Sequence, residues 1–140
     1  ILLIFNITFP KGLMTCVPDS LIRKLNTSEF QVIGLNRKPD AQDFIQALQE
    51  YNTKTENVTC QGVELKEQEL KENMESIENI DLNRLNKGYL CSSCDPLLLL
   101  YCELFNVSID FNFNGTNVNY HNTKESKRTI RFSSSSSHFQ

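Results

Sequence analysis

An excess of basic residues is the first thing this 140-residue sequence lacks. Fourteen Lys and Arg face seventeen Asp and Glu, giving a net charge of −3 and a pI near 5.4. That balance argues against a nucleic-acid binder, because phosphate neutralisation requires clustered cations. A long apolar run is missing as well. "ILLIFNITF" at the start offers about five apolar residues before polar ones intervene, against roughly 18 for a membrane span, and it lacks the charged n-region of a signal peptide. It reads as a buried strand, and no membrane partner is expected. Tryptophan is absent, yet the apolar content is ordinary. A chain of this length should bury roughly two thirds of its unfolded surface. One domain spanning 1–140 is expected, with no room for a second. The first residue is Ile rather than Met, which reads as a domain excised from a longer protein.

Several catalytic signatures are also missing. There is no Walker loop, G-x-G-x-x-G, H-E-x-x-H or G-x-S-x-G, so nucleotide, metalloprotease and serine-hydrolase readings lack support. The cysteine count is odd: Cys16, Cys60, Cys91, Cys94 and Cys102. An odd count fits poorly with a complete disulfide framework and favours reduced thiols in a cytosolic protein. Five N-x-S/T sequons, at Asn6, Asn26, Asn57, Asn106 and Asn114, point the other way, towards a secreted glycoprotein. An Asn-rich composition is the plainer cause of their number.

What is present is a mixture of helical and strand patterns. "CVPDSLIRKLN" places Leu21, Ile22 and Leu25 at helical spacing, with Pro18 tolerated in the first turn. Cys16 therefore falls at a helix N-terminus. In "DAQDFIQALQEY" a second helix puts Phe44, Ile45 and Leu48 on one face, with Asp40 as cap. "VELKEQELKENMESIENI" is a charged, solvated helix with a sparse stripe of Leu65, Leu70, Met74 and Ile77. "DPLLLLYCELFNV" predicts a helix apolar nearly all round, hence buried, with Asp95 at N-cap and Pro96 at N1. "VSIDFNF", "VNYH" and "RTIRF" then read as three antiparallel strands joined by turns. The fold class is α/β (α+β), with helices packed on a mostly antiparallel sheet.

A cysteine at a helix N-terminus after a Gly-containing loop is a usual place for a nucleophilic thiol. The dipole and free N–H groups there favour thiolate and can hold an oxyanion. Composition alone makes Cys16 a buried core cysteine more often than a nucleophile. A nucleophilic thiol needs an imidazole base, and only His121 and His138 exist to supply one. His121 enters a turn after "VNYH", where plain surface exposure is the simple reading. His138 follows a strand and a run of small serines, where it is free to be positioned. "CSSC" at 91–94 raises zinc or redox chemistry, with Cys60 and Cys102 as further zinc ligands. It precedes a helix rather than following a strand, so core packing is the better account.

In combination, "KGLMTCVPDSLIRKL", "GYLCSSCDPLLLLYCELFNVSIDF" and "RTIRFSSSSSHFQ" resemble three segments of the ovarian tumour (OTU) family of cysteine proteases, and most of all its compact viral members. These are the nucleophile loop and helix, a later helix-to-strand unit, and the closing strand with the histidine. The resemblance implies a small papain-type deubiquitinase that cleaves after the C-terminal glycine of ubiquitin or ubiquitin-like modifiers. It implies Cys16 as nucleophile, His138 as base, the backbone around Met14, Thr15 and Cys16 as oxyanion hole, and no metal or cofactor. Gln140 stands where the family tends to have Asp or Asn, which makes it the candidate for orienting the imidazole. No Asp precedes the thiol, and the glycine lies further back than in the family pattern. The viral likeness further implies a monomer acting in the host cytoplasm, cut from a polyprotein that it also cleaves, and countering innate immunity. The competing class is a secreted, glycosylated binding module held by disulfides and without catalytic activity.

Overall fold

The computed structural model describes residues 5–6, 16–87, 89–113, 115–135 and 138–139, and of these the side chains of 5, 6, 16, 86, 87, 90, 113, 134, 135, 138 and 139 are left out. Strand β1 (Phe5–Asn6) comes first, followed by α1 (Cys16–Arg23), α2 (Thr27–Phe30), a 3-10 turn and α3 (Ala41–Glu50). Next come β2 (Val58–Cys60), α4 (Glu67–Glu78), a second 3-10 turn, β3 (Leu90–Cys91) and α5 (Pro96–Phe105). The chain closes with β4 (Ser108–Phe113), β5 (Thr116–Asn122), β6 (Thr129–Ser135) and β7 (His138–Phe139). The architecture is mixed α and β, as expected.

Helix starts follow the chemistry of their first turns. Asp40 accepts from the Asp43 N–H at 2.8 Å to cap α3, and Asp95 accepts from the Leu97 N–H at 3.0 Å to cap α5, with Pro96 at N1. Both caps satisfy N–H groups that no helical carbonyl can reach. The α4 stripe narrows to Leu70 and Ile77, the two residues of the helix that are buried. In α5, Leu97 to Cys102 and Phe105 are all buried, so this helix is the centre of the molecule. Asn106 ends it in a left-handed conformation (φ 54°, ψ 49°), which Asn tolerates better than most side chains. Phe105 stacks on Phe44 of α3, with centroids 6.3 Å apart, and meets Tyr101 edge-on.

The main sheet has the order β2-β5-β4-β6-β7. Three of its four pairings are antiparallel, but β4 and β6 run parallel, with Ile109 beside Ile130 and Phe111 beside Phe132. The sheet is mostly antiparallel, as expected, but the reading of the last three strands as an antiparallel series is corrected by the parallel β4–β6 pair. The β5–β6 connection crosses the near end of β4 instead of folding β6 back against β5. It is docked there by Lys127 N–H to the Asn106 carbonyl (2.9 Å) and Ser108 N–H to the Arg128 carbonyl (3.1 Å). Period-2 alternation buries Ile109, Phe111, Val118, Tyr120, Ile130 and Phe132 on one face, where α5 packs. The other face carries Asn117, Asn119 and Arg131 outward. The strand read as "RTIRF" continues through Ser133 to Ser135. Among the described residues, no helix is long and apolar enough to cross a membrane.

The expectation of reduced thiols needs one correction: Cys60 and Cys94 are joined by a disulfide, with Cα atoms 5.7 Å apart. Cys91 and Cys102 remain buried thiols. Because the bond closes a loop across 34 positions, chain-entropy reasoning gives it about 2–4 kcal/mol. Reduction with dithiothreitol should therefore lower the denaturant midpoint by that equivalent, and Cys94→Ser should reproduce the shift. A midpoint indifferent to reductant would show that the bond does not form in solution.

Candidate active site

Helix α1 begins at Cys16 itself, placing this residue on the first turn as its sequence predicts. The helix is held along its length by core packing, with Val17, Leu21 and Ile22 at most 2 % exposed. Met14, Thr15 and Gln140 lie outside the described residues. His138 opens β7, opposite Ser135 of β6. Ser133 to Ser135 of the serine run belong to the closing strand, β6. Helix α1 lies against β7, with Cα atoms of the two elements within 8 Å of each other. The elements that begin with Cys16 and His138 are spatial neighbours although 122 positions separate those residues, as the numbering shows (138 − 16).

His121 is elsewhere. It is exposed on β5 opposite Thr59, and β4 and β6 stand between β5 and β7. Three interstrand steps amount to roughly 14 Å. Along the strands, neighbouring Tyr120 is level with Ile109 and Ile130, whereas His138 is level with Ser135. Those levels differ by about five residues, or roughly 17 Å. The two histidines therefore stand far apart on the sheet.

The other cysteines are poor nucleophiles on physical grounds. Cys60 and Cys94 are bonded to each other. Burial, with Glu103 nearby, pushes the Cys102 thiol far above its ordinary value, so it offers no thiolate near neutrality. Cys91 is fully buried. Among the described residues, no three His, Cys, Asp or Glu side chains converge as a metal-binding group.

Two groups distant in sequence hold the C-terminal end of α1. Tyr101 of α5 donates its hydroxyl to the Leu21 carbonyl at 2.9 Å. Arg128, immediately before β6, donates to the Lys24 carbonyl at 2.6 Å. The same guanidinium grips Glu29 in a fork, at 2.6 and 2.9 Å. Glu29 is 1 % exposed and also accepts from the Asn26 N–H, while Asn26 accepts from the Glu29 N–H, a reciprocal cap on α2. Burial alone would raise the Glu29 carboxyl, but the Arg128 hydrogen bond, the Asn26 N–H and the charges of Arg128 and Lys127 hold it below its ordinary value. Sequence reading missed this network. The N-x-x-E spacing at Asn26 and Glu29 is the one signal that could have revealed its α2 half.

A polar cleft of about 530 Å³ opens beside this end of α1 on the sheet face turned away from α5, lined by Lys24, Asp110, Asn112, Asn117, Asn119, Arg131, Phe132 and Ser133. It too was not anticipated, because its residues come from α1's end and three separate strands. Arg131 and Asp110 approach to 3.9 Å but are well exposed, and such pairs contribute little stability.

The sequon asparagines are used internally where their side chains are described. Asn57 donates its amide to Glu103 at 2.8 Å, Asn106 donates to the Glu125 carbonyl at 3.1 Å, and Asn26 caps α2. Comparison with protein-family models, curated proteins and solved structures returns no match.

Proposed function

We propose that this chain is a cysteine deubiquitinase, a thiol protease hydrolysing bonds after the C-terminal glycine of ubiquitin or a ubiquitin-like modifier. The observation that carries the reading is the approach of α1, opening at Cys16, to β7, opening at His138. A helix N-terminus favours thiolate through its dipole and unpaired N–H groups, and a neighbouring strand is a rigid place from which to present an imidazole. The substrate class comes from the OTU resemblance of the three sequence segments.

In this mechanism the Cys16 thiolate attacks the glycine carbonyl carbon, and backbone N–H groups at Met14 to Cys16 receive the oxyanion. The C–N bond breaks, and the amine leaves with a proton from the His138 imidazolium. His138 then takes a proton from water, whose oxygen displaces the thiolate from the thioester. Gln140 has the role of accepting the imidazole N–H. An uncharged carbonyl stabilises imidazolium less than an aspartate would. Neither metal nor cofactor enters this chemistry.

Reaction with a ubiquitin carrying a C-terminal electrophile tests the reading. The expected result is one covalent adduct on Cys16, absent in Cys16→Ala. No adduct on a folded parent chain would sink it. The second reading, a secreted, glycosylated binding module, draws on the Cys60–Cys94 bond. It predicts glycans at Asn57 and Asn106, whose amides are committed to Glu103 and Glu125, and no electrophile adduct.

A further inference from the structure

The Arg128 fork ties the C-terminal end of α1 to the start of β6, the strand whose far end pairs with β7. From Lys24 the helix runs back over eight residues to Cys16, about 12 Å at 1.5 Å per residue. From Arg128, β6 runs forward over seven residues to Ser135, about 23 Å at strand rise, before the chain returns as β7. Helix and strand thus leave one guanidinium and meet again where α1 lies against β7. We infer that Arg128 is a positioning residue for the Cys16–His138 pair, fixing the pivot about which the thiol helix is aligned with the histidine strand. This rests on the deubiquitinase reading above.

The contacts suit a pivot better than a surface ion pair. Arg128 uses Nη2 on a helix-end carbonyl and both terminal nitrogens on Glu29, a planar geometry that lysine cannot copy. Glu29 is itself locked by the Asn26 cap. Lys127 stands 3.9 Å from Glu29 and is half exposed, so it adds charge without fixing direction. Tyr101 holds the neighbouring Leu21 carbonyl, which leaves rotation rather than translation as the motion that loss of Arg128 would release. A tilt of about 5° over a 12 Å lever moves its tip by roughly 1 Å, a displacement that costs on the order of 100-fold in rate.

The test uses the full chain and two readouts that simple loss of stability would not move together. Alkylation of Cys16 by iodoacetamide is followed across pH by mass spectrometry, and kcat and KM are measured with a ubiquitin C-terminal fluorogenic ester or amide. The parent is expected to keep a reactive thiolate well below the free-thiol range near 8.5. Arg128→Lys and Arg128→Ala, assayed at a temperature where circular dichroism shows them folded, should lose that acid limb. Their kcat should drop at least tenfold, with KM within about twofold of the parent's. Arg128→Lys keeps the charge and serves where the alanine variant does not fold. Folded variants with the parental pH profile and kcat would overturn the positioning role. A parent lacking both the acid limb and the probe adduct would overturn the deubiquitinase reading, and this inference with it.

Discussion

Replacing His138 with alanine is expected to lower kcat/KM on a ubiquitin C-terminal substrate by roughly 10²–10⁴-fold, while Cys16→Ala abolishes turnover. The two effects differ in kind. Without Cys16 no thioester forms. Without His138 the helix N-terminus still favours some thiolate, but no group protonates the departing amine or activates water. The defect should therefore be greater on amide substrates, whose leaving group requires a proton, than on activated esters. Because β7 is a two-residue edge strand, the substitution should leave the denaturant midpoint within about 0.5 kcal/mol of the parent's. His121→Ala, three strands away from β7, should leave turnover unchanged. Single-turnover kinetics on ester and amide substrates in parallel checks both expectations. An amide defect no larger than the ester defect would remove His138 from the general-acid role. Gln140→Ala should give a smaller loss than His138→Ala, and unchanged turnover would end the orienting role of Gln140.

What the sequence revealed, and what it hid, divides along the range of the interactions. α1, α3, α4 and α5 were legible because apolar spacing, caps and Pro96 act within a few residues. The position of Cys16 on the first turn of α1 came with them. The four-residue α2 and three-residue β2 are too short for periodicity to register, and Asn26 stood out only as a sequon. The parallel β4–β6 pairing was hidden for another reason. Alternation in "RTIRF" reports which face is buried, not which neighbour is paired, and the deciding docking bonds fall in the preceding loop. The odd cysteine count could not single out the Cys60–Cys94 pair, since the bond depends on β2 meeting the turn before α5. Arg128 and Glu29 lie 99 positions apart, so nothing local announces their contact.

Asp95→Ala should be the most damaging single change to the fold, costing roughly 4–5 kcal/mol. Its side chain is 2 % exposed and serves four donors: the Leu97 N–H (3.0 Å), the Ser92 N–H (3.1 Å), the Ser92 hydroxyl (3.3 Å) and the Tyr89 hydroxyl (2.7 Å). Its own N–H donates to the Tyr120 hydroxyl at 2.9 Å. Alanine would remove the cap from the most buried helix, leave the buried Leu97 N–H without its acceptor, and break the bonds that hold Ser92 and Tyr89. Asp95→Asn keeps one acceptor oxygen and should cost less, which separates lost hydrogen bonding from a general intolerance at this position. Urea unfolding of the three proteins measures the differences, and a cost under about 1 kcal/mol for alanine would reject the network's importance. Acid titration adds a sign. Burial raises the Asp95 carboxyl above its ordinary value of 3.8, against its hydrogen bonds. Its titration therefore favours the fold fully below 3.8, and that contribution falls as pH climbs through the raised value. Glu29, held below its ordinary 4.5, contributes above 4.5 and loses that contribution as pH falls. Glu29→Gln should accordingly flatten the acid limb of the stability curve, whereas Asp95→Asn should steepen it, because the two carboxyls are buried against opposite balances of charge and solvation.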